Sequence, residues 1–519
     1  MPPELPAPTS EGWSATPLKV PSPWNVNRWT VQGRGDPNQP YRTDSVYYPS
    51  YPRAWDGAEM GWLRRTFRVP PGWNAKRLRL RLRFEAVAGD AEVWVNGRRI
   101  GRHFDSFLPF EFDVTDAVRR YGGKDGVNEV RVGVRAAWLY DHRGVRRAAF
   151  RSPYPPGSTL DHIVGIWQDV SLLGVPAVRV SDAFVQPYVG RDRLEIAATV
   201  ANDGDRPQTV AVGGDVRPWT NLAGKNVLAT PEPRSRLGAP TLAVPPRTVT
   251  IPAHASRTVT LATRPAGCLK RWSPAAPNLY GAVLDVRIAG RTADRKFTRF
   301  GWREFTIRGR DLLLNGESIR LYGDLLHPFG PFVGSRRYFW SWYRMIQDMG
   351  GNAVRLHGQP HPRAALDLAD EMGICVLDET ALFGSSLRID FDAPEAWPRF
   401  EAHYDGLVRR DRNHPSVFGW SPGNELFAMF LDVPEAERAP YYARLGAYTR
   451  RALRLDPTRA WISCDGDETL RGAAPVWSRH YGLGVPKLPE VPGPSMVGES
   501  GGSYYAKPSE LAAVAGERA

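Results

Sequence analysis

The sequence predicts a multidomain protein in which two all-β units precede a parallel barrel of the (β/α)8 type. Three observations predict it. Up to about residue 300, short segments alternate apolar and polar side chains, the signature of half-buried strands. Near Asn315 the hydrophobic period lengthens, and strand and helix patterns then take turns. Within that second region, Ser416-Val-Phe-Gly-Trp420 reads as a strand covered on both faces, broken at Pro422-Gly423. Asn424 and Glu425 stand just past its end, where such barrels carry catalytic side chains. A length of 519 residues suits two to four domains. The divisions expected are 1–177, 178–306 and 307–519.

Residues 1 to about 60 are rich in Pro, Trp and Tyr and read as an irregular lead-in laid over a neighbouring surface. Strands are expected at Leu78–Phe84, Ala91–Val95, Phe110–Thr115 and Asn128–Val134, and Asn96-Gly97 predicts a hairpin turn. Short strands at this spacing build a β-sandwich or jelly roll. Leu194–Val200 and Thr258–Ala262 alternate again, whereas 213–247, rich in Pro and Gly, reads as a long inserted loop.

The barrel pattern then gives strands at Ile319–Gly323, Asn352–Leu356, Ile374–Asp378, Val417–Trp420, Ala460–Ser463, Val476–Tyr481 and Met496–Gly498. Helices are expected at Tyr338–Met349, Arg363–Met372, Trp397–Arg410 and Pro440–Leu455. No eighth strand is visible, so the barrel reads as truncated after strand seven.

The net charge of +13 comes from 60 Arg and only 8 Lys, and the Arg residues are scattered. A nucleic-acid surface is therefore not expected. Cys268, Cys375 and Cys464 form neither a disulfide framework nor a CxxC zinc pattern. No HExxH or phosphate-loop motif occurs, and no metal or cofactor is expected. Met1-Pro-Pro-Glu4 is no signal peptide and no apolar run reaches membrane-spanning length, which predicts a cytoplasmic protein, or a secreted one if the start is misassigned.

The stretch Asp411-Arg-Asn-His-Pro-Ser-Val-Phe-Gly-Trp-Ser-Pro-Gly-Asn-Glu425 resembles the acid/base signature of glycoside hydrolase family 2, with Gly419 where a bulkier apolar residue is usual. That family holds β-galactosidases, β-glucuronidases and β-mannosidases. Val93-Trp-Val-Asn-Gly97, Gly101 and Phe110–Thr115 resemble its jelly-roll sugar-binding domain. Gly165-Ile-Trp-Gln-Asp-Val170 resembles that domain's closing motif, with Gln168 where Arg is usual. Trp272–Tyr280 and Arg299-Phe-Gly-Trp-Arg303 resemble its immunoglobulin-like middle domain. The resemblance implies a C-terminal TIM barrel, a carbohydrate substrate and room for a homo-oligomer.

It also implies roles. Glycoside hydrolysis needs two carboxyl groups across the scissile bond. Glu425 matches the acid/base and Glu499 the nucleophile, with Ser500 where an aromatic residue is usual. Asn424 matches the residue holding the sugar 2-hydroxyl, Arg355 the cation that keeps the nucleophile ionised, and His327 a substrate contact. Gly358 stands in place of a usual His, so His357 is either its substitute or a structural side chain. Either His480 or Tyr481 matches a Tyr that touches the nucleophile. Asp378-Glu379 resembles a structural pair. The predicted function is a retaining exo-β-glycosidase of β-galactosidase or β-glucuronidase type. The alternative is a non-catalytic carbohydrate-binding relative. A serine esterase, from Gly498-Glu-Ser-Gly-Gly502, fails on chain order because no His follows His480.

Overall fold

The computed structural model describes residues 4–25, 51–75, 77–119, 126–140, 145–146, 163–222, 235–325, 335–384, 388–389, 391–426, 433–480 and 491–499. Three hydrophobic cores follow one another along the chain, and a fourth joins the second and third.

The first core lies between two antiparallel sheets. One orders Met60–Phe67, Asn128–Arg135, Asp90–Val95 and Arg98–Phe104; the other orders Phe110–Asp113, Arg79–Phe84 and Val170–Val175. The turn expected at Asn96-Gly97 forms, with φ of 51° and 81° at its two residues. Both values are left-handed, as the tight turn that follows strand twist requires. The lead-in runs beside Val164–Ile166, to which Ser22 and Trp24 donate backbone hydrogen bonds of 2.9 and 3.0 Å.

The second core is a sandwich of a three-stranded and a five-stranded antiparallel sheet. The expected long loop at 213–247 is corrected at both its described flanks, while 223–234 lie outside the described residues. Gln208–Asn221 and Leu242–Ile251 are paired strands. Pro245 and Pro246 sit at a register shift opposite Gly213. Leu242–Ile251 pairs on one side only, the position where a strand tolerates proline. The Gly-Gly pair is required by crowding, since a Cβ on Gly213 would meet Pro246 at 2.6 Å and one on Gly214 the Val283 carbonyl at 1.9 Å.

The third unit is a parallel β/α array. Its strands are β1 (Gly323–Leu325), β2 (Ala353–Arg355), β3 (Cys375–Glu379), β4 (Val417–Ser421), β5 (Trp461–Ile462), β6 (Trp477–His480) and β7 (Ser495–Glu499). β1 to β5 pair in order, β6 pairs with β7, and Val476 beside β6 donates to Ile462 of β5 at 3.3 Å. No eighth strand pairs with them among the described residues. Helices α1 (Arg336–Asp348), α2 (Arg363–Met372), α3 (Ala396–Asp411) and α4 (Ala439–Thr449) cover the strands. α1 starts where the Ser335 hydroxyl accepts from Tyr338 N, and buries Phe339, Tyr343 and Ile346 on one stripe. The single helix expected at 440–455 breaks at Arg450 into α4 and a short second helix, Arg451–Leu455. Gly419 in β4 has a packing reason, because a Cβ there would meet the Trp461 ring at 2.5 Å. No helix among the described residues is long and apolar enough to cross a membrane.

The two β units brace the outside of the barrel. Phe107 and Leu108 enter its core, and Asp105 pairs with His403 of α3 at 2.7 Å. Arg299 reaches Asp367, Asp370 and Glu371 on α2, and the Trp272 indole donates to the Asp370 carbonyl at 2.9 Å. Support of this kind holds the strand ends in place.

Candidate active site

The C-terminal ends of six parallel strands deliver one side chain each, or more, to a common point. β2 ends on Arg355, followed by His357; β3 ends on Glu379, β6 on His480 and β7 on Glu499. The chain past β4 gives Asn424 and Glu425, and the chain past β5 gives Asp465. Apart from Glu425, these side chains are nearly fully buried.

Arg355 is the hub. It donates to Glu499 at 2.9 Å, to Glu379 at 3.0 and 3.1 Å and to Asn424 Oδ1, and it pairs with Asp465. Glu379 also accepts from the Ser421 hydroxyl at 2.6 Å. Burial pushes the Glu379 carboxyl up, despite Arg355 beside it. Burial would raise Glu499 too, but a hydrogen bond from His357 and the charge of Arg355 hold it well below the ordinary carboxylate range. His357 Nε2 lies 3.0 Å from Glu499 Oε1. Glu499 is thereby an ionised carboxylate held in a fixed direction.

Glu425 is built differently. Its φ of +49° is left-handed, a conformation that costs a side-chain-bearing residue of order 1 kcal/mol. It is held there by a backbone bond from Glu425 N to the Asp465 carbonyl at 2.8 Å and by Leu426 N donating to Asp467 at 2.7 Å. Its carboxylate contacts His480 Nδ1 at 2.9 Å, and one donor atom each from Glu425, His480 and Glu499 lie within 4.8 Å of one another. Asn424 spends its oxygen on Arg355, while its Nδ2 has no hydrogen-bond partner among the described residues. A buried amide donor of this kind is suited to a hydroxyl supplied from outside.

Of the residues singled out from the sequence, Glu425, Glu499, Asn424, Arg355, His357 and His480 converge; His327 and Tyr481 lie outside the described residues. Two groups enter that were not singled out as site residues. Glu379, read as half of a structural pair, faces the site, while Asp378 turns the other way towards Asp411 and Arg410 and is pushed up by burial and by the Asp411 charge. Strand alternation forces that split. Asp465 was missed altogether. Its signal is Ser463-Cys-Asp-Gly466 directly after a short apolar strand, the same position that marks Glu425 after β4.

A second cluster, Asp367, Asp370 and His414, has metal-like spacing, but Arg299 donates to both aspartates at 2.6 and 2.8 Å and supplies the charge.

Gly498 decides how close β7 can come. A Cβ there would stand 2.0 Å from Asp465 Oδ1. Gly498→Ala should therefore displace Asp465 or β7, costing about 1–3 kcal/mol of stability. Thermal unfolding checks the stability loss, and a parallel loss of turnover shows whether Glu499 has moved.

Three family models match in succession: "Glycosyl hydrolases family 2, sugar binding domain" over 8–176, "Glycosyl hydrolases family 2" over 178–303, and "Glycosyl hydrolases family 2, TIM barrel domain" over 305–481. A putative β-glucuronidase of Formosa agariphila is 27% identical over 460 residues, spanning 87% of this chain and 37% of its own. A β-galactosidase of Priestia megaterium is 26% identical, over 80% and 38%. The chain thus spans well under half the length of these curated relatives. Among solved structures, a GH2 β-galacturonidase from Eisenbergiella tayi aligns with a TM-score of 0.66 at 21% identity, over 90% of this chain and 70% of its own. The Bacteroides uniformis β-glucuronidase 2 aligns at 0.65 and 20%, over 90% and 52%. With all three domain models matched in order, the chain belongs to glycoside hydrolase family 2.

Proposed function

We propose that this protein is a retaining exo-β-glycosidase that removes a terminal β-linked sugar by double displacement. Glu499 attacks the anomeric carbon, and Glu425 protonates the departing oxygen and then activates water. The observation that carries the reading is the unequal treatment of two facing carboxylates. Arg355 and His357 both bind Glu499, whereas the Glu425 carboxylate contacts His480. A nucleophile must stay ionised and an acid/base must exchange a proton, so the two need different surroundings. The narrow spacing supports retention, since inverting enzymes keep their carboxyl groups about 6.5–9.5 Å apart to admit water. Asn424 Nδ2 is the donor for the sugar 2-hydroxyl. The same reading divides the chain at 1–177, 178–306 and 307–519.

The sugar is of β-galactoside or β-glucuronide type, the activities named for the curated relatives. A panel of nitrophenyl β-glycosides tests the function, and failure to turn over any of them, in folded protein, would sink it. Glu425→Gln should lose about 10²–10⁴-fold on substrates with poor leaving groups, the usual contribution of a general acid. With dinitrophenyl glycosides its first step should be nearly spared, and added azide should speed release of the enzyme-bound sugar. Equal losses on both substrate classes would contradict the assignment.

A further inference from the structure

His480 closes β6 with its ring between the two carboxylates of the proposed catalytic pair. Nδ1 lies 2.9 Å from Glu425 and 3.6 Å from Glu499. Nε2 faces Asp465 Oδ1 at 3.3 Å, an ion-pair distance, and the side chain is almost wholly buried. Asp465 is itself fixed, by Arg355 on one oxygen and the Ser478 hydroxyl on the other.

The charged groups around the ring come from every neighbouring strand end. They are Arg355 on β2 with His357 beyond Glu499, Glu425 after β4, Asp465 after β5 and Glu499 on β7. Arg355 is already shared among Glu379, Asp465 and Glu499. The imidazole is therefore a titratable cation in direct contact with Glu425, and a proton shared between an imidazole and a carboxylate in this company rests on nitrogen. Glu425 must nevertheless hold a proton when the glycosidic oxygen departs.

We propose that His480 is a positioning residue that acts through Glu425: oriented by Asp465, its imidazole hands Glu425 the proton for the first step and takes it back in the second. The proposal rests on the glycosidase reading above. In the first step Glu499 forms a bond to the anomeric carbon and the bond to the aglycone oxygen breaks. Glu425 protonates that oxygen as Nδ1 passes its proton to Glu425, leaving a neutral imidazole and a free alcohol. In the second step water attacks the anomeric carbon and the ester bond to Glu499 breaks. The water proton passes through Glu425 to Nδ1, restoring the imidazolium and the Glu499 carboxylate. Burial would lower the imidazole, but the nearby Asp465 carboxylate and the hydrogen bond to Glu425 push it up to about 9, so the proton store stays filled through neutrality.

The test is the pH dependence of kcat/KM in wild type, His480→Gln and Asp465→Asn, each with an alkyl and a dinitrophenyl β-glycoside. Gln can still donate a hydrogen bond to Glu425 but cannot titrate. Wild type should lose alkyl-glycoside activity as the pH rises through about 9, when the imidazolium discharges. In His480→Gln that alkaline limb should move down by about one pH unit or more, with a loss of about 100-fold on the alkyl substrate, the scale of a lost proton-transfer partner. The dinitrophenyl substrate, which needs no proton, should lose less than about tenfold. Asp465→Asn should show a smaller shift in the same direction. His480→Ala should regain alkyl-glycoside activity with added imidazole. An unmoved limb in His480→Gln overturns the relay alone, as do equal losses on both substrates without imidazole rescue, which a purely structural role would give. Absence of turnover in wild type overturns the glycosidase reading, and the relay with it.

Discussion

Glu499→Gln should lower turnover on the order of 10⁵-fold, the scale of removing a covalent nucleophile. The substitution keeps the size of the side chain and removes the negative charge. Arg355 retains Glu379 and Asp465 as partners, so the pocket should stay assembled. In the proposed mechanism, what disappears is the electron pair that Arg355 and His357 hold ready for the anomeric carbon. Two measurements check this. Intact-protein mass spectrometry after exposure to a cyclophellitol aziridine should show one added sugar-like unit on wild type, mapped to Glu499, and none on the variant. Steady-state turnover of the best nitrophenyl substrate should fall to background. A variant that keeps a tenth of wild-type activity, or label mapped to another residue, would defeat the assignment.

Arg355→Leu should be the most damaging change to stability, about 3–5 kcal/mol, because it leaves buried acids without their cation. Glu379, Asp465 and Glu499 all pair with this one guanidinium, and all three are buried. The pH dependence follows in sign. The folded Glu499 carboxyl lies well below its unfolded value, so its stabilising contribution is complete above the ordinary carboxylate range, near pH 4.3, and fades as the pH falls below it. Asp465 is also lowered, mainly by Arg355 acting against burial, and contributes in the same sense. Without Arg355 both carboxyls should rise. The gap between wild type and the variant should then be widest at neutral pH and narrow in acid. Denaturant unfolding at pH 7 and pH 4 measures the difference, and an equal gap at both pH values would contradict the account.

Much of the barrel was legible because parallel strands covered on both faces leave compact apolar runs between polar helices. β3 and β4 were placed within one residue of their observed bounds, since Ile374–Asp378 and Val417–Trp420 have no other reading. β1 was set at Ile319–Gly323 and begins instead at Gly323, because the apolar residues Ile319 and Leu321 pack into the junction with the middle unit before the sheet begins. Residues 213–247 misled for a physical reason, since Pro and Gly mark loops in general but mark an edge strand and its crowded neighbour here. The two catalytic candidates were legible from motif and order together. Asp465 was not, because a two-residue strand gives little periodicity and a lone Asp before Gly is ordinary turn chemistry. Its role comes from what four other strands bring beside it.

The Arg355–Glu499 contact joins residues 144 positions apart. On the ribosome, where domains emerge and fold from the N-terminus, Arg355, Glu379 and Asp465 are synthesised well before their fourth partner. A nascent barrel at that stage holds the guanidinium and two of its acids but no nucleophile. Under the proposed mechanism, glycosidic bond cleavage should begin only once residue 499 is in place, and hydrolysis of a fluorogenic glycoside during translation would report the moment at which β7 seats beside β6.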